Sequence, residues 1–488
     1  MQLPTDSEES KMNTIISTNT KIRIIAGKLF NSDTLTFSEQ QVIVVDGESG
    51  LIIDVHGWSQ QDEDEASIPT VDLRGKTVLP GFVDVHVHMF LHSYAETPWD
   101  DQLTKESLAE RTIRATVHAK KTLMVGFTTV RDLGTEGAED ADIALRKSLS
   151  GRKPLIPGPR YFCANRAIVA SGSYGPKSTS HPHQEGIDGV TGAAVADGVD
   201  GCIREVRKQI GTGADWVKVY ADYKPRSRIV GVSPRAGTRD ISTFNEAELK
   251  AMIDTAHAYG VKIAAHAQSL SSFKSLISLG IDSIEHSVVS YGSQTASLAI
   301  EDLFSTWMNE SSRGVVKSPF WIPTLAVYYK MAQFAGDKDP QRNVAWDRAS
   351  NMFRQALSIG FDRIACGGDT GAFSHGENAL EMKLMVRLGA DVKKVLGWAT
   401  LSGWECVRGM DWEMSVMEAD GQGGANDVRF GCIKPGWAAD IVAVGRDIEK
   451  DFESALDSVE FVMKEGRIYK WKGTLEDLNH VSDFIYND

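Results

Sequence analysis

The chain is most constrained by an ordered set of polar residues set into short, otherwise apolar segments: His86-x-His88, Lys218, His266, His286 and Asp369. In Gly81-Phe82-Val83-Asp84-Val85-His86-Val87-His88, the polar residues Asp84, His86 and His88 alternate with three valines, the period of a strand. Both imidazoles therefore share one side, and the valines take the side that packs against helices. Pro80-Gly81 marks a turn into this strand. Imidazoles, an amine and a carboxylate brought together can ligate two adjacent divalent metals and leave one carboxylate to move protons.

Ala264-Ala265-His266 closes one apolar run and Ser283-Ile284-Glu285-His286 closes another. Between them Leu270, Phe273, Leu276, Ile277 and Leu279 follow helical spacing, with Gly280 as a C-terminal stop. The spacing predicts a βαβ unit, whose parallel geometry puts both histidines at the same end of the sheet. Ile364 to Asp369 reads as a further strand with a glycine-rich exit.

In Asp215-Trp216-Val217-Lys218-Val219-Tyr220, the residues Trp216, Lys218 and Tyr220 share one face. An interior lysine is costly as an ammonium ion, so its pKa falls and neutral amine becomes available. That amine can add carbon dioxide, giving an anionic carbamate able to bridge two metals roughly 3.5 to 4 Å apart.

The chain resembles the amidohydrolase superfamily in its binuclear, carboxylated-lysine branch, within the imidazolonepropionase-like and prolidase-like group that includes ochratoxinase. The likeness is carried by Val78 to His88, Gly126 to Asp132, Lys218, His266, Ile284-Glu285-His286, Gly368-Asp369-Thr370 and Ile433 to Val442. It implies that His86 and His88 hold the more buried metal with Asp369, that His266 and His286 hold the more exposed one, and that carboxylated Lys218 bridges them. Two divalent ions are implied as cofactors, zinc first, with manganese or cobalt accepted. A hydroxide between the metals would be the nucleophile, and Asp369 would pass its proton to the leaving nitrogen. Apart from the resemblance, Tyr220, two residues beyond Lys218 on the same face, is a candidate to donate to the carbonyl oxygen. The resemblance also implies homo-oligomers and a small amide substrate: a dipeptide, an N-acyl amino acid or an ochratoxin-like amide.

A chain of 488 residues exceeds the roughly 250 of a bare (β/α)8 barrel. The expected α/β architecture is a TIM barrel over residues 81–431, with eight strands near 82–88, 126–131, 160–169, 215–220, 261–266, 282–286, 320–325 and 363–368. Short strands with turns over residues 22–80 and 432–475 are expected to form one small β-sandwich domain from both chain ends. Asn245 to Tyr259 reads as a helix with Asn245 as N-cap and Glu248 at N3; His257, on the edge of its apolar stripe, reads as structural.

A net charge of −14 and a pI near 5.4 argue against nucleic acid as a partner. No apolar run approaches the roughly 18 residues of a membrane span. Residues 1–21 are polar and read as a disordered tail without a leader. Five cysteines without a CxxC suit a reducing compartment, so a cytoplasmic protein is expected.

Residues 171–200, rich in Gly, Ser and Pro, are expected over the barrel mouth as a lid or substrate-binding segment. Relatives often carry Gly-His-Gly there; Ser173-Tyr174-Gly175 stands in its place, so Tyr174 is the candidate to replace the missing hydrogen bond. His181 and His183 read as solvated loop residues. Further candidates at the mouth are Asn165, Tyr223, His375, and Arg166 or Arg226 for a substrate carboxylate. The alternatives are a cyclic-amide or lactone hydrolase, a deaminase, or a scaffold without activity. Deaminases usually place a glutamate where this chain has Ser269, and a mononuclear site needs no bridging lysine.

Overall fold

A computed structural model describes residues 21–64, 68–151, 153–174, 192–224, 241–290, 296–312, 318–410, 426, 428–472 and 485. Residues 1–20, expected as a tail, lie outside the described residues, and Lys21 opens the first strand rather than closing that tail.

The fold is mixed α/β. Strands from both ends of the chain form one seven-stranded sheet in the order Arg467–Trp471, Val459–Lys464, Ile441–Val444, Thr70–Pro80, Lys21–Asn31, Thr36–Asp46 and Ile52–Gly57. A single hydrogen-bonded ladder thus stands where two layers of a sandwich were expected. The join is Ile441–Val444, which pairs antiparallel with Thr77 to Pro80 on one side and with Val459 to Met463 on the other.

Two parallel sheets carry the chemistry. One holds Phe82–Val87, Phe127–Asp132 and Arg160–Cys163. The other runs Phe320–Ile322, Ser283–Glu285, Lys262–His266, Trp216–Tyr220, Ile168–Val169 and Ala194–Val195. The segment around Ile364 to Thr370 lies between them without becoming a strand: Trp321 bridges Ile364, Val87 bridges Thr370, and the Val85 amide donates to the Cys366 carbonyl at 2.9 Å. Glycine is required at Gly367 in this segment, since a Cβ there would come within 2.9 Å of the His86 backbone nitrogen. The third expected strand is split at Ala164 to Ala167, and the seventh stops at Ile322 because a helix begins at Leu325.

Local signals place the helices. Glu246–Ala258 is capped by Asn245, whose side chain accepts from the Glu248 amide while Glu248 accepts from the Asn245 amide, a capping box. Leu270–Leu279 ends at Gly280, where φ of 82° is the left-handed conformation that glycine adopts without strain. His257 bonds Asp282 at 2.8 Å, as a structural residue would. Val83 and Val85 pack with Trp404, Cys406 and Val407 of the helix Leu401–Val407 and its neighbours, so the valine side of the first strand is apolar. No helix among the described residues is long and apolar enough to cross a membrane.

Candidate metal centre

His86, His88, His266 and His286 are buried at or just beyond the ends of parallel strands, Lys218 is buried in the middle of Trp216–Tyr220, and Asp369 joins them from the segment beside the first strand. Nε2 of His88 lies 3.2 Å and Nε2 of His86 3.6 Å from Oδ1 of Asp369. One ligand atom each from His86, His286 and Asp369 fall within 4.8 Å of one another. The ring of His286 is 5.1 Å from His86 and 4.4 Å from His266.

Outer contacts orient these rings. Nδ1 of His86 donates to Oε2 of Glu285 at 2.9 Å and Nδ1 of His88 donates to the Gly134 carbonyl at 2.9 Å. Each bond leaves Nε2 as the nitrogen facing Asp369, the one from which the ring could ligate a metal. Nδ1 of His286 lies 2.9 Å from Oγ1 of Thr324. Nε2 of His266 is buried with no hydrogen-bond partner among the described residues, a cost a cation would relieve. The donor set of imidazoles, carboxylate and lysine therefore fits divalent metal ions.

Backbone strain is concentrated here. His286 (φ 76°), Asp369 (φ 63°), Thr324 (φ 49°) and Glu136 (φ 51°) are all left-handed without being glycine. At His286 the consequence is geometric. In a continuous strand Glu285 and His286 would face opposite sides, whereas the reversed φ lets both approach His86.

Burial sets the electrostatics. It lowers Lys218 to about 8, although Glu285 and Asp369 pull the other way. Burial and the Lys218 charge lower His86 to about 4, and burial holds His266 and His286 well below the usual histidine range. Burial also opposes a charge on His88, but the bonded Asp369 carboxylate outweighs it and raises His88 to about 9. Asp369 is held far below the usual carboxylate range by the surrounding imidazoles, against its own burial.

A cavity of about 620 Å³ opens over these residues, lined in part by His88, His266, His286 and Asp369. Tyr174, Tyr220 and Tyr223 all line it. Tyr220 stacks on His266 with centroids 4.7 Å apart and on Tyr174 at 4.6 Å. Three expected mouth residues fall elsewhere. Arg166 bonds Asp140 at 3.1 Å and is not among the lining residues, because Asp140 draws its guanidinium off the cavity. His375 is buried behind the wall, stacked on His118 at 4.2 Å and donating to the Leu91 carbonyl at 3.0 Å. Asn165 is likewise structural, donating to Asp142 at 3.0 Å. Arg226, His181 and His183 lie outside the described residues. The expected lid is described only at its ends, where Ala194–Val195 forms an edge strand beside Ile168–Val169.

Sequence reasoning passed over several residues. Glu285 is held by Arg131 at 2.9 Å and by Ser283 at 2.7 Å; the alternation Ser283-Ile284-Glu285 carried the signal that both polar side chains share one face. Asp84, fully buried, accepts from Asn378 at 2.9 Å and from the His86 amide at 3.1 Å, and burial raises it to about 7. Glu136 sits in an irregular turn, where no periodicity could reveal it. Arg342, on the helix Pro340–Ser358, also lines the cavity.

Residues 77–411 match the Amidohydrolase family. The chain is 26% identical over 334 residues to an uncharacterised protein of Mycobacterium tuberculosis, covering 67% of this chain and 73% of that one. It is 23% identical over 443 residues to ochratoxinase of Aspergillus niger, covering 84% and 80%. Among solved structures, a Xaa-Pro dipeptidase with methionine bound in its active site superposes with a TM-score of 0.72 at 26% identity, covering 92% of this chain and all of that one.

Proposed function

This chain belongs to the amidohydrolase family and is a hydrolase of carbon–nitrogen bonds; from that premise we propose that it cleaves the amide of a dipeptide or N-acyl amino acid with a free carboxylate, at a pair of divalent metal ions. One observation carries this reading: Nε2 of His86 and of His88 converge on Asp369 within 3.6 Å, close to the orphaned Nε2 of His266 and the buried Lys218.

His86, His88 and Asp369 would hold one ion, His266 and His286 the other, and a carboxylated Lys218 both. Zinc is the first choice on ligand type. When bound, the ions would activate water and polarise the amide carbonyl.

The remaining work falls to the chain's own residues. Asp369, ionised and beside two imidazoles, accepts a proton at Oδ1 and returns it to the leaving nitrogen. Tyr220, buried and kept protonated by that burial, donates its hydroxyl hydrogen toward the substrate carbonyl oxygen. The aromatic wall of Tyr174, Tyr220 and Tyr223 excludes water from the amide, and a cavity of about 620 Å³ suits a small molecule.

The same reading keeps residues 81–431 as a closed (β/α)8 barrel and residues 22–80 with 432–475 as one β domain built on the seven-stranded sheet. It also makes the protein a cytoplasmic homo-oligomer acting on a small molecule, with no nucleic-acid or membrane partner. Sedimentation of the purified chain as a monomer would remove the oligomer from it. Deamination is disfavoured because Ser269, at the position of the deaminase glutamate, is occupied in capping the helix Leu270–Leu279.

Screening dipeptides and N-acyl amino acids, with lactams, lactones and an aminopurine as controls, tests the proposal. Cleavage of the linear amides, lost on chelation and regained with zinc, is expected. Turnover confined to the controls would overturn it.

A further inference from the structure

Apart from histidines, the charged residues lining the metal cavity, among those described, are Asp100, Glu136, Asp369 and Arg342. With Asp369 assigned to the metals, one deeply buried carboxylate and one guanidinium remain to meet substrate.

Glu136 is 2% exposed. Its backbone is fixed by the buried Arg111, whose Nη2 donates to the Glu136 carbonyl at 2.7 Å. Oε2 accepts from the Tyr174 hydroxyl and, at 3.1 Å, from the indole nitrogen of Trp99. Among the described residues, Oε1 receives only the Tyr220 hydroxyl, at a long 3.5 Å. A carboxylate has about four lone-pair sites, so Oε1 retains room for a stronger donor. The same oxygen is near the metal ligands: a Cβ placed on Gly134 would lie 3.6 Å from it and 3.8 Å from Cε1 of His88. Rings of Trp99, Tyr174 and Tyr220 around an anion make a setting suited to a cation.

Arg342 belongs to another wall. With Gln268 and Tyr328 it lines both the metal cavity and an adjoining cavity of about 810 Å³, which Glu136, Trp99 and Tyr174 do not touch. Its contacts are weak and partly exposed: Nη1 to the Met331 sulfur at 3.4 Å and Nε to Asp339 at 3.3 Å. Such a guanidinium can turn to a carboxylate and hold it through two hydrogen bonds.

We infer that the cavity is built for a zwitterion, with Glu136 binding the α-ammonium of the substrate and Arg342 its carboxylate, so that free dipeptides are preferred to N-acyl amino acids. This rests on the amidase reading and chooses between its two substrate classes. Glu136 and Arg342 are specificity-determining residues with no part in the bond-breaking step.

The test compares a dipeptide, its N-acetylated form and its C-terminal amide, using the metal-loaded full-length protein and the variants Glu136→Gln, Glu136→Asp and Arg342→Met. The unmodified protein is expected to favour the dipeptide in kcat/KM by about tenfold or more over each blocked form, the scale of one charged contact. Glu136→Gln should erase the preference against the acetylated form and retain that against the amide, with Glu136→Asp intermediate. Arg342→Met should do the converse. Equal turnover of blocked and free substrates by the unmodified protein would overturn the inference whether or not the variants fold. So would variants that slow all three substrates in proportion; a change in only one ratio would overturn the assignment at the other end. No cleavage of any of the three by metal-loaded protein would instead remove the amidase reading itself.

Discussion

Oε2 of Glu285 lies 2.9 Å from Nδ1 of His86, and the other oxygen of that carboxylate lies 2.9 Å from Nη2 of Arg131. All three side chains are buried, so the metal-facing nitrogen of His86 is set by a charge pair that water does not screen. Glu285→Gln keeps the volume and removes the charge. It is expected to weaken metal binding by about 10- to 100-fold, the usual effect of losing such a partner. Titration of the chelated protein with zinc measures this.

The same contacts make Glu285 a source of acid sensitivity. Burial alone would push its carboxyl up from 4.5, but Arg131 and His86 hold it at about 2. A depressed folded pKa contributes stability that is complete above the unfolded value and lost as pH falls through the folded one. The difference in urea stability between the unmodified protein and Glu285→Gln is therefore expected to shrink by on the order of 3 kcal/mol between about pH 5 and pH 2. A pH-independent difference would contradict it.

Asp369→Asn separates proton transfer from folding. Asparagine tolerates the left-handed backbone found at Asp369, φ 63°, so the fold should survive. The amide cannot accept the proton, and kcat is expected to fall by about 10²- to 10⁴-fold. Circular dichroism beside steady-state kinetics checks both halves.

Gly371 carries His88 from behind. Its φ is +124°, and an added Cβ would meet the His88 carbonyl oxygen at 2.6 Å and the His88 Cβ at 2.9 Å. Gly371→Ala is expected to displace His88, lowering stability by about 1–3 kcal/mol and reducing bound metal together. Thermal unfolding and elemental analysis of one preparation would show both.

Much of the site was legible because its residues sit where local rules are strong. His86 and His88 follow strict alternation, and His266 and His286 flank a helix whose N-cap Ser269 and C-terminal Gly280 are both readable in sequence. The helix Glu246–Ala258 appeared within a residue of its expected ends because the Asn245–Glu248 box is a local device. What escaped depends on distant partners. Arg166 was a plausible carboxylate ligand until Asp140 claimed it, and Arg342, 176 positions later in the numbering, occupies the wall instead. Glu136 lies in a turn with no periodicity, and only the fold brings Trp99 and Tyr174 onto it. The eighth strand reduces to isolated bridges around Gly367-Gly368, where an added Cβ at Gly367 would meet His86.

Metal content measured by elemental analysis, for the unmodified protein and for Lys218→Ala, bears most directly on the paired-ion site. About two divalent ions per chain are expected in the first, and a clear loss of metal with abolished amidase activity in the second, not fully restored by added short carboxylic acids. Fewer than about one ion per chain in fully active protein would contradict it.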